Sequence, residues 1–312
     1  MSLSAFLIQG IVVLLLAPFS TGCARLFKAR LQGRSGASPF LPYVRFATLL
    51  RKEMVIANTT SWVFHVTPIV VVSTSVFAAT SLPLLSDAGA PGGLDNFIVF
   101  SAILALGSVF LVLGGLDPGT AFGGMGSSRE MTLASLVEPA MITTFAAFAV
   151  VSGHSDISGM LNVGGAALLQ YPSLIISLVA LGLCTLAENA RYPVDNPATH
   201  LELTMVHEAM ILEYSGASLA LLEYASSLRL TVFSLLIANI VVPLPLFSAA
   251  LSLPSVSVTI AAAIVKLVVA MLLLAILESS IPKMRFYRMQ EYLSVTYFIA
   301  LAGLVFSLIP LS

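Results

Sequence analysis

Charge is scarce in this chain. Asp, Glu, Lys and Arg together supply 9% of its 312 residues, against roughly 25% in a soluble domain. Cysteine is rarer still, with only Cys23 and Cys184 and no C-x-x-C pair. Two distant thiols cannot hold an iron–sulfur cluster or a cysteine zinc site alone, so a redox centre would have to sit in a partner chain. The simple reading of both thiols is small apolar filler. His207-Glu208 is followed by no second histidine at the spacing of a zinc-protease helix. The glycine-rich stretch Gly114–Ser128 lacks the Lys-Ser or Lys-Thr of a phosphate-binding loop. A net charge of −1 gives no reason to expect nucleic acid as a partner. No basic residue precedes the first apolar run, as a signal peptide would require. No repeat of 20–50 residues stands out, nor a matched pair of broken apolar helices of the transporter kind.

Apolar length is abundant. Hydrophobic residues make up 58% of the chain, and the mean hydropathy is +1.01. At about 20 apolar residues per span, the chain is expected to be an all-α polytopic membrane protein. One transmembrane domain is expected over 1–312, with about eight helices and the lipid bilayer as its first partner. The spans are predicted near 3–21, 62–85, 97–116, 131–151, 171–186, 223–243, 256–277 and 291–311. Residues 39–53 alternate apolar and basic positions at helical spacing and are expected to lie in the interface plane. The loops at about 22–60, 117–130, 187–222 and 279–290 carry nearly all the Lys and Arg, beginning with Arg25, Lys28, Arg30, Arg34, Arg45, Arg51 and Lys52. Those near 86–96, 152–170 and 244–255 carry none. This bias predicts basic loops in the cytoplasm and both termini outside.

The acids are gathered. Glu188, Asp195, Glu202, Glu208, Glu213 and Glu223 are six of the chain's 15 acids, and all lie in one predicted cytoplasmic window, 187–223, bordered by apolar runs. This window is expected to be a partly helical acidic loop, broken by Pro193 and Pro197 and again at Tyr214-Ser215-Gly216. Carboxylates kept beside hydrocarbon usually serve a function. A row of them at a bilayer edge can pass protons along, and a solvated loop is the plain alternative for each. Glu208 and Glu213 are five residues apart, about 140° around a helix, so they would line two sides of a passage rather than chelate an ion. His200 could join a relay, since an imidazole titrates near neutrality.

Three further groups fall at or near predicted spans. Glu138 precedes Pro139 within the fourth. Lys266 lies deep in the seventh, too far along the axis from Glu278 for a direct bond, so its partner is expected on another helix. Arg229 shares the helix-prone stretch of Glu208, Glu213 and Glu223. A proton-relay role accounts for Glu138 and Lys266; the plain alternatives are a protonated Glu138 bonded to a carbonyl that Pro139 frees, and a structural ion pair for Lys266. Asp117 and Arg129 are candidates for fastening the glycine-rich stretch to a neighbour.

The segment Ala187-Glu188-Asn189-Ala190-Arg191-Tyr192-Pro193-Val194-Asp195, with Glu202 and Glu213-Tyr214-Ser215-Gly216 beyond it, resembles the hallmark loop of the complex I membrane subunit 1 family. Gly115-Leu116-Asp117-x-Gly119, Ser128-Arg129-Glu130, Leu136-Val137-Glu138-Pro139 and Ile264-Val265-Lys266-Leu267 resemble its hydrogenase branch, found in formate hydrogenlyase-type and other energy-converting [NiFe] hydrogenases. The resemblance covers almost the whole chain. It implies a membrane anchor in the inner membrane beneath cytoplasmic [NiFe] large and small subunits and iron–sulfur subunits. An antiporter-like membrane subunit would adjoin it, and the nickel and iron–sulfur centres would lie in those partners. It also implies a proton path through Glu138, Glu188, Asp195, Glu202, Glu208, Glu213, Glu223, Lys266 and Glu278, with Arg191, Asp117 and Arg129 in docking or structural roles. Val194 stands where quinone-reducing relatives carry Phe, which weighs against a quinone site and leaves it open.

Overall fold

The computed structural model describes residues 3–83, 95–162, 165, 168, 170–195, 205–243, 253–281 and 286–309. His200 and Glu202 lie outside them, as do Asp87, Lys283 and Arg285. Eleven helices are described: α1 Leu3–Leu31, α2 Leu41–Leu50, α3 Trp62–Ser81, α4 Phe97–Leu116, α5 Ala121–Ser152, α6 Ile157–Asn162, α7 Pro172–Glu188, α8 His207–Ile211, α9 Gly216–Val241, α10 Leu253–Ser280 and α11 Phe286–Leu308. Their limits follow local chemistry. Ser61, Asn96 and Thr120 cap α3, α4 and α5 by accepting from the backbone N–H groups of Val63, Ile98 and Gly123, which supplies partners that a helix start otherwise lacks. Gly153, at φ 71°, closes α5 in the left-handed conformation.

Seven of these helices are long and apolar enough to cross a membrane. The eighth expected span is α7, whose 17 residues give about 25 Å, slightly under the hydrocarbon thickness of about 30 Å. Hydrogen bonds sort the helix ends into two groups. At one end Gln9 reaches Thr80 O at 3.0 Å, Phe97 N reaches Ser155 O at 3.0 Å and Gly165 N reaches Ile240 O at 3.0 Å. At the other, Lys28 and Arg191 meet Glu278, and Ser61 meets Asp117. We call the second the basic end. α7 starts near the first and finishes at the basic end, so it runs the full height of the bundle despite its length.

Several boundaries differ from the sequence expectation. α1 continues ten residues past Thr21, because apolarity ends there but nothing breaks the helix before Gly33, at φ 74°. The glycine-rich stretch is mostly the first turns of α5. Its glycines permit close approach rather than turning: a Cβ on Gly123 would run into the Gly115 carbonyl, and one on Gly126 would lie 2.9 Å from the Val206 carbonyl. α9 begins at Gly216, so Glu223 is inside a helix rather than at its start. α2 is confined to Leu41–Leu50 and exposes Leu41, Val44 and Leu50, consistent with a place in the membrane interface.

α9 is the central element. Of the seven candidate spans it has the largest buried share, at 72%. Phe233 on α9, Phe100 on α4 and Phe145 on α5 pack edge to face, with centroids 6.3 and 6.0 Å apart. Between helices already in lipid, such packing acts through dispersion and close fit rather than escape from water.

Two prolines inside spans show how the bundle satisfies its backbone. Proline has no N–H, so Pro18 and Pro68 free the carbonyls four residues earlier. The Tyr224 hydroxyl donates to Leu14 O at 2.9 Å, and the Tyr214 hydroxyl to Phe64 O at 3.3 Å. Each freed carbonyl is met by a tyrosine from elsewhere, as an apolar surrounding demands. Tyr214 also stacks on Phe64 at 4.0 Å. Removing its hydroxyl with Tyr214→Phe should therefore lower stability by about 1 kcal/mol. In a Pro68→Ala background, where an N–H is restored, the same change should cost little. Equal losses of thermal midpoint in detergent for both backgrounds would refute this account.

Candidate functional site

At the basic end a cavity of about 510 Å³ opens between α1, α2, the 189–195 segment, α8, α9 and α10. Five of its lining residues are cations, Arg25, Lys28, Arg34, Arg45 and Arg191, and four are acids, Asp195, Glu208, Glu223 and Glu278. Most of these acids are tied. Glu278, buried, takes Lys28 at 2.8 Å and Arg191 at 3.4 Å. Glu223 pairs with Arg45. Asp195, also buried, accepts from the backbone N–H groups of Val206 and His207 at 3.3 and 3.4 Å, so it caps α8. Glu208 lies within electrostatic reach of Arg25. Lys28 rests over the Tyr192 ring at 4.4 Å, a cation–π contact that adds to its ion pair.

Deeper in the bundle is a second cavity of about 20 Å³, lined among others by Glu188, Asn189, His207, Ser226 and Arg229. Asn189, Ala190, His207 and Ser226 line both cavities, so they form the wall between them. The inner space is built around Arg229, in the middle of α9 and only 7% exposed. Its Nη1 donates to Ser108 Oγ at 3.1 Å and meets Glu188 Oε1 at 3.4 Å. Gly107 makes room for it, because a Cβ there would strike Nη2. Glu188, Glu138 and Asp195, together with Arg229, are the charges that act on Glu130. Glu138 acts on Glu188 as well. Arg229 thus acts on Glu188 and Glu130, and Glu138 acts on both of those acids in turn.

His207, half-buried in the wall, is held neutral. Burial above all, then the nearby Arg229, pushes its imidazole down to about 4, with Asp195 opposing. A neutral imidazole can accept a proton at one nitrogen and release it from the other.

The expected residues therefore divide. Glu138 and Glu188 belong to the inner group, while Asp195, Glu208, Glu223 and Glu278 line the outer cavity with Arg191. Glu213 is half-buried between α8 and α9 and lines neither cavity. Lys266 lies apart. It bonds Asn239 Oδ1 at 3.2 Å and the Val242 carbonyl, at the C-terminus of α9, some 24 Å along that helix from Glu223. Its partners are an amide and a helix end, where a cation is favoured. Asp117 accepts from Ser61 N at 2.6 Å and Ser61 Oγ at 2.5 Å, and Arg129 donates to Met205 O at 2.8 Å. Sequence reasoning gave no separate role to Arg229 or Glu130. A lone arginine within an apolar run is itself a signal. Glu130 was hidden because the glycines before it read as a loop.

The sequence pattern of the NADH dehydrogenase family matches residues 3–308. Formate hydrogenlyase subunit 4 of Escherichia coli strain K12 is 30% identical over 283 residues, which is 89% of this chain and 90% of that protein. Hydrogenase-4 component C of the same organism is 29% identical over 282 residues, 90% of this chain and 88% of that one. In fold, the chain is similar to one chain of the membrane-bound sulfane sulfur reductase, an archaeal respiratory membrane complex. The TM-score is 0.80 at 15% identity, covering 97% of this chain and 98% of that chain.

Arg229→Met should leave Glu188 buried without its cation and cost about 3 kcal/mol or more. Adding Glu188→Gln should recover most of the loss in thermal midpoint, and a double variant no better than the single one would count against the pairing. For His207 the sign is fixed by its lowered folded value. Between about 4 and the unfolded 6.5, the unfolded chain binds more protons. Stability is therefore whole above that window and lost as pH falls through it. The midpoint should drop less on acidification in His207→Gln than in the unaltered protein, and parallel pH profiles would contradict this.

Proposed function

The chain belongs to the NADH dehydrogenase family, that of complex I membrane subunit 1, and from this we propose that it is the membrane anchor and proton-conducting subunit of a complex I-like hydrogenase assembly. The observation that carries the reading is the inner group: Glu130 and Glu188 beside the buried Arg229, with Glu138 acting on both, one wall away from an open polar cavity. Acids that outnumber their cation take up and release protons as a set. A partner that changes its charge over the basic end during electron transfer would shift that set. Glu223, Glu278 and Asp195, tied by ion pairs and by the α8 cap, hold the outer cavity in shape. Glu208 lines the same cavity, and Glu213 lies between α8 and α9.

In this reading the basic end faces the cytoplasm of a cell with an inner membrane, in keeping with the loop charge bias. The soluble arm, with nickel–iron and iron–sulfur centres in its own chains, docks there, and an antiporter-like subunit adjoins in the membrane. Cys23 and Cys184 are free thiols buried in separate helices, α1 and α7, so the electron carriers belong to the partners. The charged lining of the large cavity suits water and protons better than an apolar quinone, whose sites are mostly hydrophobic.

Glu138→Gln and Glu188→Gln keep shape and remove the exchangeable acid. Each should leave subunit recovery intact and slow proton movement coupled to turnover by at least about tenfold. Loss of assembly with coupling preserved in the remaining complex would favour a purely structural anchor.

A further inference from the structure

Two residues that line the inner cavity carry buried polar atoms without protein partners. Among the described residues, Nε and Nη2 of Arg229 and Oδ1 of Asn189 are buried and meet no hydrogen-bonding group. Arg229 and Asn189 are 7% and 8% exposed, and both line the same space of about 20 Å³. Asn189 spends its other polar atom, Nδ2, on Thr185 O at 2.9 Å. Two buried donors on a cation and one buried acceptor each carry a desolvation penalty unless something bonds them. The volume admits about one water, which needs two to four polar neighbours. An anion is disfavoured, because it would compete with Glu188 for the same guanidinium. A neutral molecule that both accepts and donates matches the atoms on offer.

We propose that the inner cavity is a built site for a single water, accepting from Arg229 and donating to Asn189 Oδ1, through which protons cross from the outer cavity to Glu188. The presence of the water rests on the unpartnered atoms, and its role rests on the proton-conducting reading above. A proton that arrives through the shared wall, at His207 or Ser226, joins the water as another leaves it for the Glu188 carboxylate. The water is regenerated and Glu188 gains one proton. Arg229 keeps its protons throughout, since a guanidinium does not titrate in this range; it positions the water and is not itself a carrier.

The test is a map of the intact membrane complex at a resolution that shows ordered water, paired with Ser226→Val. That substitution puts a methyl-bearing side chain into the shared wall and alters no charge. A peak within hydrogen-bonding distance of Arg229 and Asn189 is expected. Ser226→Val should lose the peak, assemble normally and slow coupled proton movement by at least about tenfold. No peak in the unaltered complex overturns the site. A peak lost without slowing overturns the role. If Ser226→Val does not assemble, the peak still decides the site, and Leu222→Phe, one turn before Ser226 on α9 and lining only the inner of the two cavities, supplies the kinetic test. Unchanged proton movement in Glu188→Gln would instead sink the broader proton path while leaving the water in place.

Discussion

Everything near the functional end of this bundle answers to one cost: a guanidinium held in the middle of a membrane helix. Arg229 cannot reach the interface from the centre of α9, so its neighbours have to supply what water would have given. Glu188 supplies the opposite charge, Ser108 an acceptor, and Gly107 the room. Glu188 comes from α7 and the Gly107-Ser108 pair from α4, which fixes how α4, α7 and α9 approach one another. Glu188 and Glu130 both answer to this one cation, and Glu138 acts on both, so the acids outnumber it.

The same logic governs the backbone. Prolines in α1 and α3 release carbonyls that apolar surroundings would leave stranded, and tyrosines from α9 and the turn before it take them up. At Pro18 and Pro68 another residue repairs the break. Tyr214 does this beside Gly216, at φ 53°, so the Glu213–Gly216 turn is a fastening between α3 and α9 as well as a gap between helices. At the opposite end of α9, Lys266 meets the Val242 carbonyl at the helix terminus and the Asn239 side chain. Its charge is therefore used far from the acid group.

Much of this was legible in the sequence. Seven spans and α7 follow from apolar length, and the clustering of acids between 187 and 223 pointed to the right end of the bundle. The pairing pattern was not legible, because it depends on which helices touch. Glu278 looked like a carrier and is clamped by Lys28 and Arg191. Asp195, expected in the proton path, also caps α8. The glycines after Leu116 read as a loop because glycine usually marks turns. Here they remove side chains where α5 presses on the end of α4 and on α8, a tertiary reason that no local pattern announces. Missing that helix also hid Glu130, which its first turns carry toward Arg229.

The claim at the centre of this account is that the acids around Arg229 change protonation when the partner changes redox state. Infrared difference spectra of the intact complex, reduced against oxidised, measure this directly. The account predicts a carboxyl C=O band that shifts in heavy water and is altered by Glu188→Gln. A spectrum with no carboxyl band, or one that Glu188→Gln leaves untouched, would contradict it.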